Sequence, residues 1–159
     1  MSAEERNVNT GDRFKELAES AENVAIEELF AFFDSLPPVA TESMIGDWDG
    51  GVFRTGHPGE QQLGALRWVG KTFHSASDVD PIIRRGKDGG RQVSPVLGKA
   101  TLQMRSHRGV STAAMVYTDH PVVDYFREIE SGVVLGVMDR QGDEFPLFFF
   151  LRRLPVAAL

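Results

Sequence analysis

From Asp12 to Ser35 apolar side chains fall at Phe14, Leu17, Ala18, Val24, Ala25, Leu29, Phe30 and Phe33, at i, i+3 and i+4 spacings interrupted by a polar patch over Ser20–Asn23. That period predicts two helical pieces, each with one packing face. Pro37 and Pro38 end the second, because proline donates no N–H and disfavours helical geometry in the residue before it. The polar stretch Met1–Gly11 is predicted to fray. Residues 1–38 are therefore read as an N-terminal helical segment.

Beyond Pro38 the period changes to that of strands. Met44–Arg54 is apolar and punctuated by glycine, and Trp68–Phe73 is a second short strand, preceded by a helical turn over Glu60–Ala65. Lys87-Asp88-Gly89-Gly90 is a hairpin signal, since Asp-Gly supplies the positive φ values of a tight turn. Ala100–His107 alternates, with Leu102, Met104 and Ser106 on one face, and after an Arg108-Gly109 turn Val110–Tyr117 returns with Ala113, Met115 and Tyr117 on one face. Asp119 before Pro121 looks like a cap and first helical position, predicting a short helix over Pro121–Ile129 with Asp124 and Arg127 paired at i, i+3. Val133–Met138 and Phe145–Arg152 make the last strand pair, turning near Gln141-Gly142.

Leu147-Phe148-Phe149-Phe150-Leu151 settles the expected architecture. Alternate strand residues face opposite sides, so five successive large apolar residues bury both faces. A small antiparallel β-barrel or strongly curved sheet, mainly β in an α+β chain, with the N-terminal helices packed outside, meets that demand. Residues 39–159 are read as this barrel-like unit, with one half at about 44–100 and the other at about 101–153.

The 159 residues carry 17 Lys+Arg and 23 Asp+Glu, a net charge of −6, with no cysteine. Disulfides, thiolate nucleophiles and cysteine-held metals are thereby excluded. No apolar run approaches the roughly 18–20 residues of a membrane span, and Met1–Asn9 lacks a signal-peptide pattern, so a cytoplasmic location is expected. Charge is uneven: residues 51–110 hold 10 bases against 4 acids. Arg84, Arg85, Lys87 and Arg91 lie in a Gly-rich turn of an acidic chain, which favours a solvated loop over a nucleic-acid site.

Candidate chemistry is sparse. Trp48, flanked by glycines, is read as a barrel plug or a cavity wall. His57, between Gly56 and Pro58, is a loop histidine, a head-group donor, a general base or a haem axial ligand. Lys71 either extends to solvent or pairs with an acid or a ligand carboxylate. Arg127 forms a surface pair with Asp124 or offers a planar fork to an anion at a barrel mouth, and Asp139 is a turn former or an acid beside His57. His74, His107 and His120 show no metal-ligand spacing, so no protein-built metal site is expected.

Several ordered blocks resemble one family. Gly46-Asp47-Trp48-Asp49-Gly50, Thr55-Gly56-His57-Pro58-Gly59 and Trp68-Val69-Gly70-Lys71-Thr72-Phe73 are similar to the GXWXG domain. Ala114-Met115-Val116-Tyr117, Pro121–Arg127, Leu135–Asp139 and Phe150-Leu151-Arg152 resemble the domain of unknown function 4334 that follows it. A looser similarity, a Gly-x-Trp at the first barrel strand, points to the calycins: lipocalins, fatty-acid-binding proteins and nitrobindin-type haem proteins. That similarity implies a carrier that holds a hydrophobic or amphiphilic small molecule, such as a fatty acid or phospholipid, in the barrel interior. Its ligand would meet Trp48, Phe53, Arg54, His57, Trp68, Lys71, Met115, Tyr117, Phe126, Arg127, Met138 and Phe148. The alternatives are a small enzyme using His57 with Asp139 or Asp124, a haem protein, and an interaction module dimerising through Phe148 and Phe150. No other cofactor is implied.

Overall fold

The switch in hydrophobic period after Pro38 marks a physical boundary in the computed structural model, which describes residues 3–156. Two helices, α1 (Ala3–Ala18) and α2 (Ile26–Ser35), precede a 3-10 turn at Thr41–Met44. Then come β1 (Gly46–Val52), α3 (Pro58–Ala65), β2 (Trp68–Ser75), β3 (Asp78–Arg85), β4 (Arg91–Val93), β5 (Ala100–His107), β6 (Val110–Tyr117), β7 (Val122–Glu130), β8 (Val133–Arg140) and β9 (Leu147–Arg153). β1 pairs with both β2 and β9, β2 pairs with β3, and the ladder runs on through β5, β6, β7 and β8 back to β9. The result is a closed eight-stranded antiparallel barrel, with β4 a short flap on β3. No described helix is long and apolar enough to cross a membrane.

Side-chain alternation divides the apolar residues into two cores. On β9, Leu147, Phe149 and Leu151 point into the barrel with Trp48, Phe73, Met115, Tyr117 and Phe126. Phe148 and Phe150 point outward and pack with Phe14, Leu17, Leu29, Phe33 and Phe53 under α1 and α2. Phe148 is fully buried there, so the face expected to join two subunits is covered by the chain's own helices.

The GXWXG segment opens the barrel. Gly46 has φ +132°, in the region that favours glycine, and a side chain there would strike the Arg153 guanidinium, which lies over the Trp48 indole. Trp48 Nε1 donates to the Met44 carbonyl at 2.8 Å, which fixes the ring as a plug. Gly50 lies beneath the Trp68 ring, where an added Cβ would stand 2.4 Å from the indole edge.

Three sequence expectations change. The stretch read as frayed belongs mostly to α1, while Met1 and Ser2 lie outside the described residues. The predicted helix at Pro121–Ile129 is strand β7. Its β-branched and aromatic residues alternate cleanly, with Val122, Asp124 and Phe126 inward and Tyr125 and Arg127 outward, and they complete the ladder between β6 and β8. Asp124 and Arg127 therefore lie on opposite faces of the sheet and form no pair. β3 carries no signal in the sequence because Pro81 interrupts it; the proline sits where the β2–β3 register is irregular, as strand prolines require.

The ladder is thinnest between β3 and β5, where one registered pair, Val79 opposite Ala100, is joined by a Leu102 N–H to Ala76 carbonyl bond. Lys99 reinforces this seam, its ammonium 2.5 Å from Asp80 and 2.6 Å from Asp78.

Two glycine substitutions separate close packing from open space. Gly50→Val should destabilise by about 1–3 kcal/mol through overpacking against Trp68. Gly64→Ala, on α3 with nothing within 4 Å of the added carbon, should stabilise by about 0.4–1 kcal/mol. Urea unfolding midpoints of the two variants check both signs.

Candidate functional site

The chain around His57 folds into a rigid corner. His57 caps α3: its Nδ1 accepts the Gly59 N–H at 2.8 Å, Pro58 holds the first helical position, and the Glu60 carboxylate accepts the His57 N–H at 2.8 Å. Glu60 also accepts from the Thr55 N–H and hydroxyl, both at 3.0 Å. With Nδ1 accepting, the neutral ring carries its proton on Nε2, which faces Asp143 at 3.1 Å. Both ring nitrogens are engaged.

This corner forms one wall of a cavity of about 440 Å³ at the mouth of the barrel. Leu63 from α3 and Leu66 at its C-cap, Val96 and Leu97 from the β4–β5 loop, and Met138 and Leu147 from the barrel supply an apolar lining. His57, Arg140 and Asp143 stand among the cavity-lining residues. Arg140 is exposed and makes no ion pair among the described residues.

The twelve residues expected to meet a ligand separate into groups. His57 and Met138 line the cavity. Trp48, Trp68, Lys71, Met115, Tyr117 and Phe126 point into the barrel beyond it. Phe53 and Phe148 lie outside the barrel under the helices, because their strand positions alternate with the inward ones. Arg54 reaches back to the Ala21 carbonyl at 3.0 Å. Arg127 is buried on the outer face and donates to the Phe33 and Leu36 carbonyls at 3.1 and 2.8 Å, closing the C-terminal end of α2 rather than facing a barrel mouth. Asp139 is exposed and is not brought to His57, whose acid partner is Asp143.

Leu63, Leu66, Val96, Leu97, Arg140, Asp143 and Leu147 escaped the sequence reading. Leu63 carried a usable signal, an apolar residue on the predicted helical turn with Leu66 three positions on, just past its end. The β4–β5 loop carried none.

Inside the barrel Lys71 and Asp124 form a buried ion pair, Nζ to Oδ2 at 3.3 Å. Lys71 also donates to the Pro81 carbonyl at 3.0 Å, approaches the Tyr117 hydroxyl at 3.5 Å, and lies within 5.2–5.9 Å of the Trp68, Tyr117 and Phe149 ring centres. Of the two fates expected for Lys71, the structure shows pairing with an acid. Burial pushes the Lys71 ammonium below its ordinary value against the pull of Asp124. Burial likewise raises Asp124 to about 6, opposed by Lys71, and raises the Tyr117 phenol.

The structure also gathers His74, Asp78 and Asp80, whose potential ligand atoms lie within 4.8 Å of one another. Lys99 stands between the two acids and His74 Nε2 is 2.7 Å from Asp80, so a closed ion-pair network accounts for the cluster.

The interior pair makes two linked predictions. Lys71→Met should cost about 3–5 kcal/mol by leaving a buried carboxylate unpaired, whereas Lys71→Met with Asp124→Leu should be near neutral or stabilising. The Asp124 pKa is higher folded than unfolded, so the native state binds the extra proton between about pH 4 and 6 and this group's contribution falls as pH rises through that window. Urea unfolding across that range should show the wild type losing stability relative to the double variant as pH increases.

Comparison with known proteins agrees with this architecture. The family described as GXWXG protein matches residues 31–89, and the domain of unknown function DUF4334 matches residues 98–153. A crystal structure of a protein from Thermomonospora curvata aligns with a TM-score of 0.86 and 31% identity, covering 92% of this chain and 99% of that one. No curated protein matches the chain. With the two domains in order along the sequence and a relative of this identity spanning nearly its whole length, the chain belongs to the GXWXG–DUF4334 family.

Proposed function

We propose that the protein binds a hydrophobic or amphiphilic small molecule in the cavity at the barrel mouth. The observation that carries this reading is the cavity itself: about 440 Å³, within the usual range for small-molecule sites, with an apolar lining and a few polar groups gathered at His57, Arg140 and Asp143. An acyl chain suits the lining, and the unpaired Arg140 guanidinium suits a carboxylate or phosphate head. Medium-chain fatty acids are the simplest members of that class. Burying methylenes contributes about 0.8 kcal/mol each, which gives a chain of modest length the driving force that one surface charge pair lacks.

The packing of the barrel supports binding at the mouth rather than along the axis. Trp48, Phe73, Phe126 and Phe149 occupy the interior, so the apolar guest rests on Met138 and Leu147. Acid–base chemistry or haem ligation at His57 would need a free ring nitrogen, and Gly59 and Asp143 hold both. Binding is the reading the site supports best.

Native mass spectrometry of the purified protein and displacement of a fluorescent fatty acid test the proposal. Saturable uptake of dodecanoate is expected. Leu63→Trp, which projects an indole into the cavity, should weaken uptake at least tenfold, and Arg140→Ala should weaken carboxylates more than the corresponding alkanes. Absence of any uptake by the folded wild type would overturn the reading.

A further inference from the structure

The barrel carries a second polar locus next to the cavity floor. Leu102, Met115, Asp124, Met138 and Leu147 are successive cross-strand partners on β5, β6, β7, β8 and β9, so their inward side chains form one rung. Directly opposed residues place their Cβ atoms about 4.5–5.5 Å apart. Met138 and Leu147 of that rung line the cavity, and Asp124 is the immediate neighbour of Met138. The buried carboxylate thus belongs to the cross-strand neighbour of a methionine in the cavity lining, an unbranched and readily re-packed residue.

Hydrogen-bond accounting at Asp124 leaves valences open. The residue is fully buried; its Oδ2 faces the Lys71 ammonium at 3.3 Å, the third acceptor of that group beside the Pro81 carbonyl and the Tyr117 hydroxyl, and its Oδ1 has no donor among the described residues. The Tyr117 hydroxyl lies 3.5 Å from Lys71 as an acceptor, and its own hydrogen has no acceptor among the described residues. The buried Trp68 Nε1 is likewise unpaired. Buried acceptors and donors of this kind are rarely left empty, because each carries its full desolvation cost.

We propose that Asp124 and Tyr117 form an inner subsite for a hydroxyl group at the buried end of the ligand, reached past Met138. A hydroxyl matches what is open: it donates to the Asp124 carboxylate and accepts from the Tyr117 O–H. A second carboxylate does not match, since it would face the Asp124 charge while the Lys71 hydrogens are committed. The inference rests on the cavity being a binding site and narrows its guest to an amphiphile hydroxylated at the far end of its apolar body.

The experiment compares octanoate, decanoate and dodecanoate, each beside its ω-hydroxy counterpart, by calorimetry on the full chain. In a purely apolar pocket the added hydroxyl lowers affinity, commonly by tenfold or more. Here at least one ω-hydroxy acid should bind more tightly than its parent, by roughly tenfold. Lys71→Met with Asp124→Leu should reverse that preference, and Tyr117→Phe, a nearly isosteric change, should reduce it even if the double variant fails to fold. Parent acids binding more tightly than every ω-hydroxy counterpart in the wild type would overturn the inner subsite and leave the cavity reading standing. No binding by either series would overturn both.

Discussion

Everything in this fold follows from one strand having to hide both of its faces. Leu147, Phe149 and Leu151 require an interior, and Phe148 and Phe150 require an external cover. Closing the ladder satisfies the first demand and removes free sheet edges on the main ring. Docking α1 and α2 across β7, β8, β9 and Phe53 satisfies the second. The helices are therefore a wall of the molecule, and Arg127, buried beneath the end of α2 and bonded to two of its last carbonyls, joins wall to barrel.

Trp48, Phe73, Phe126 and Phe149 are buried in the interior, which makes its two charges conspicuous. Lys71 and Asp124 together are neutral, and the rings of Trp68, Tyr117 and Phe149 surround the cation. Such a pair contributes little net stability, because desolvation consumes most of the Coulomb attraction.

Much of the architecture was legible because its signals were local and strong. The double-faced run on β9, the alternation of β5 and β6 and the helical period before Pro37 each had one physical interpretation. β7 was misread because Asp119 and Pro121 imitate a helix start, while the competing signal, Val122-Val123 and Tyr125-Phe126, shows its meaning only once β6 and β8 flank it. β3 was invisible because Asp78, Asp80 and Pro81 argue against a strand, and long-range pairing overrides them. The site was partly legible for the same reason. His57 could be singled out between Gly56 and Pro58, but its partner Asp143 is 86 residues away, and no local spacing joins them. Lys71 and Asp124 were both noticed, and only barrel closure makes them neighbours.

The sparse pairing between β3 and β5 has a mechanical consequence. A barrel yields first where the fewest backbone bonds must break, and that place is the junction beside Val79 and Ala100. The loop carrying Val96 and Leu97, which line the cavity, feeds directly into the same junction through Lys99. Any loosening of the cylinder at this junction would therefore be felt first by the wall of the cavity that this loop supplies.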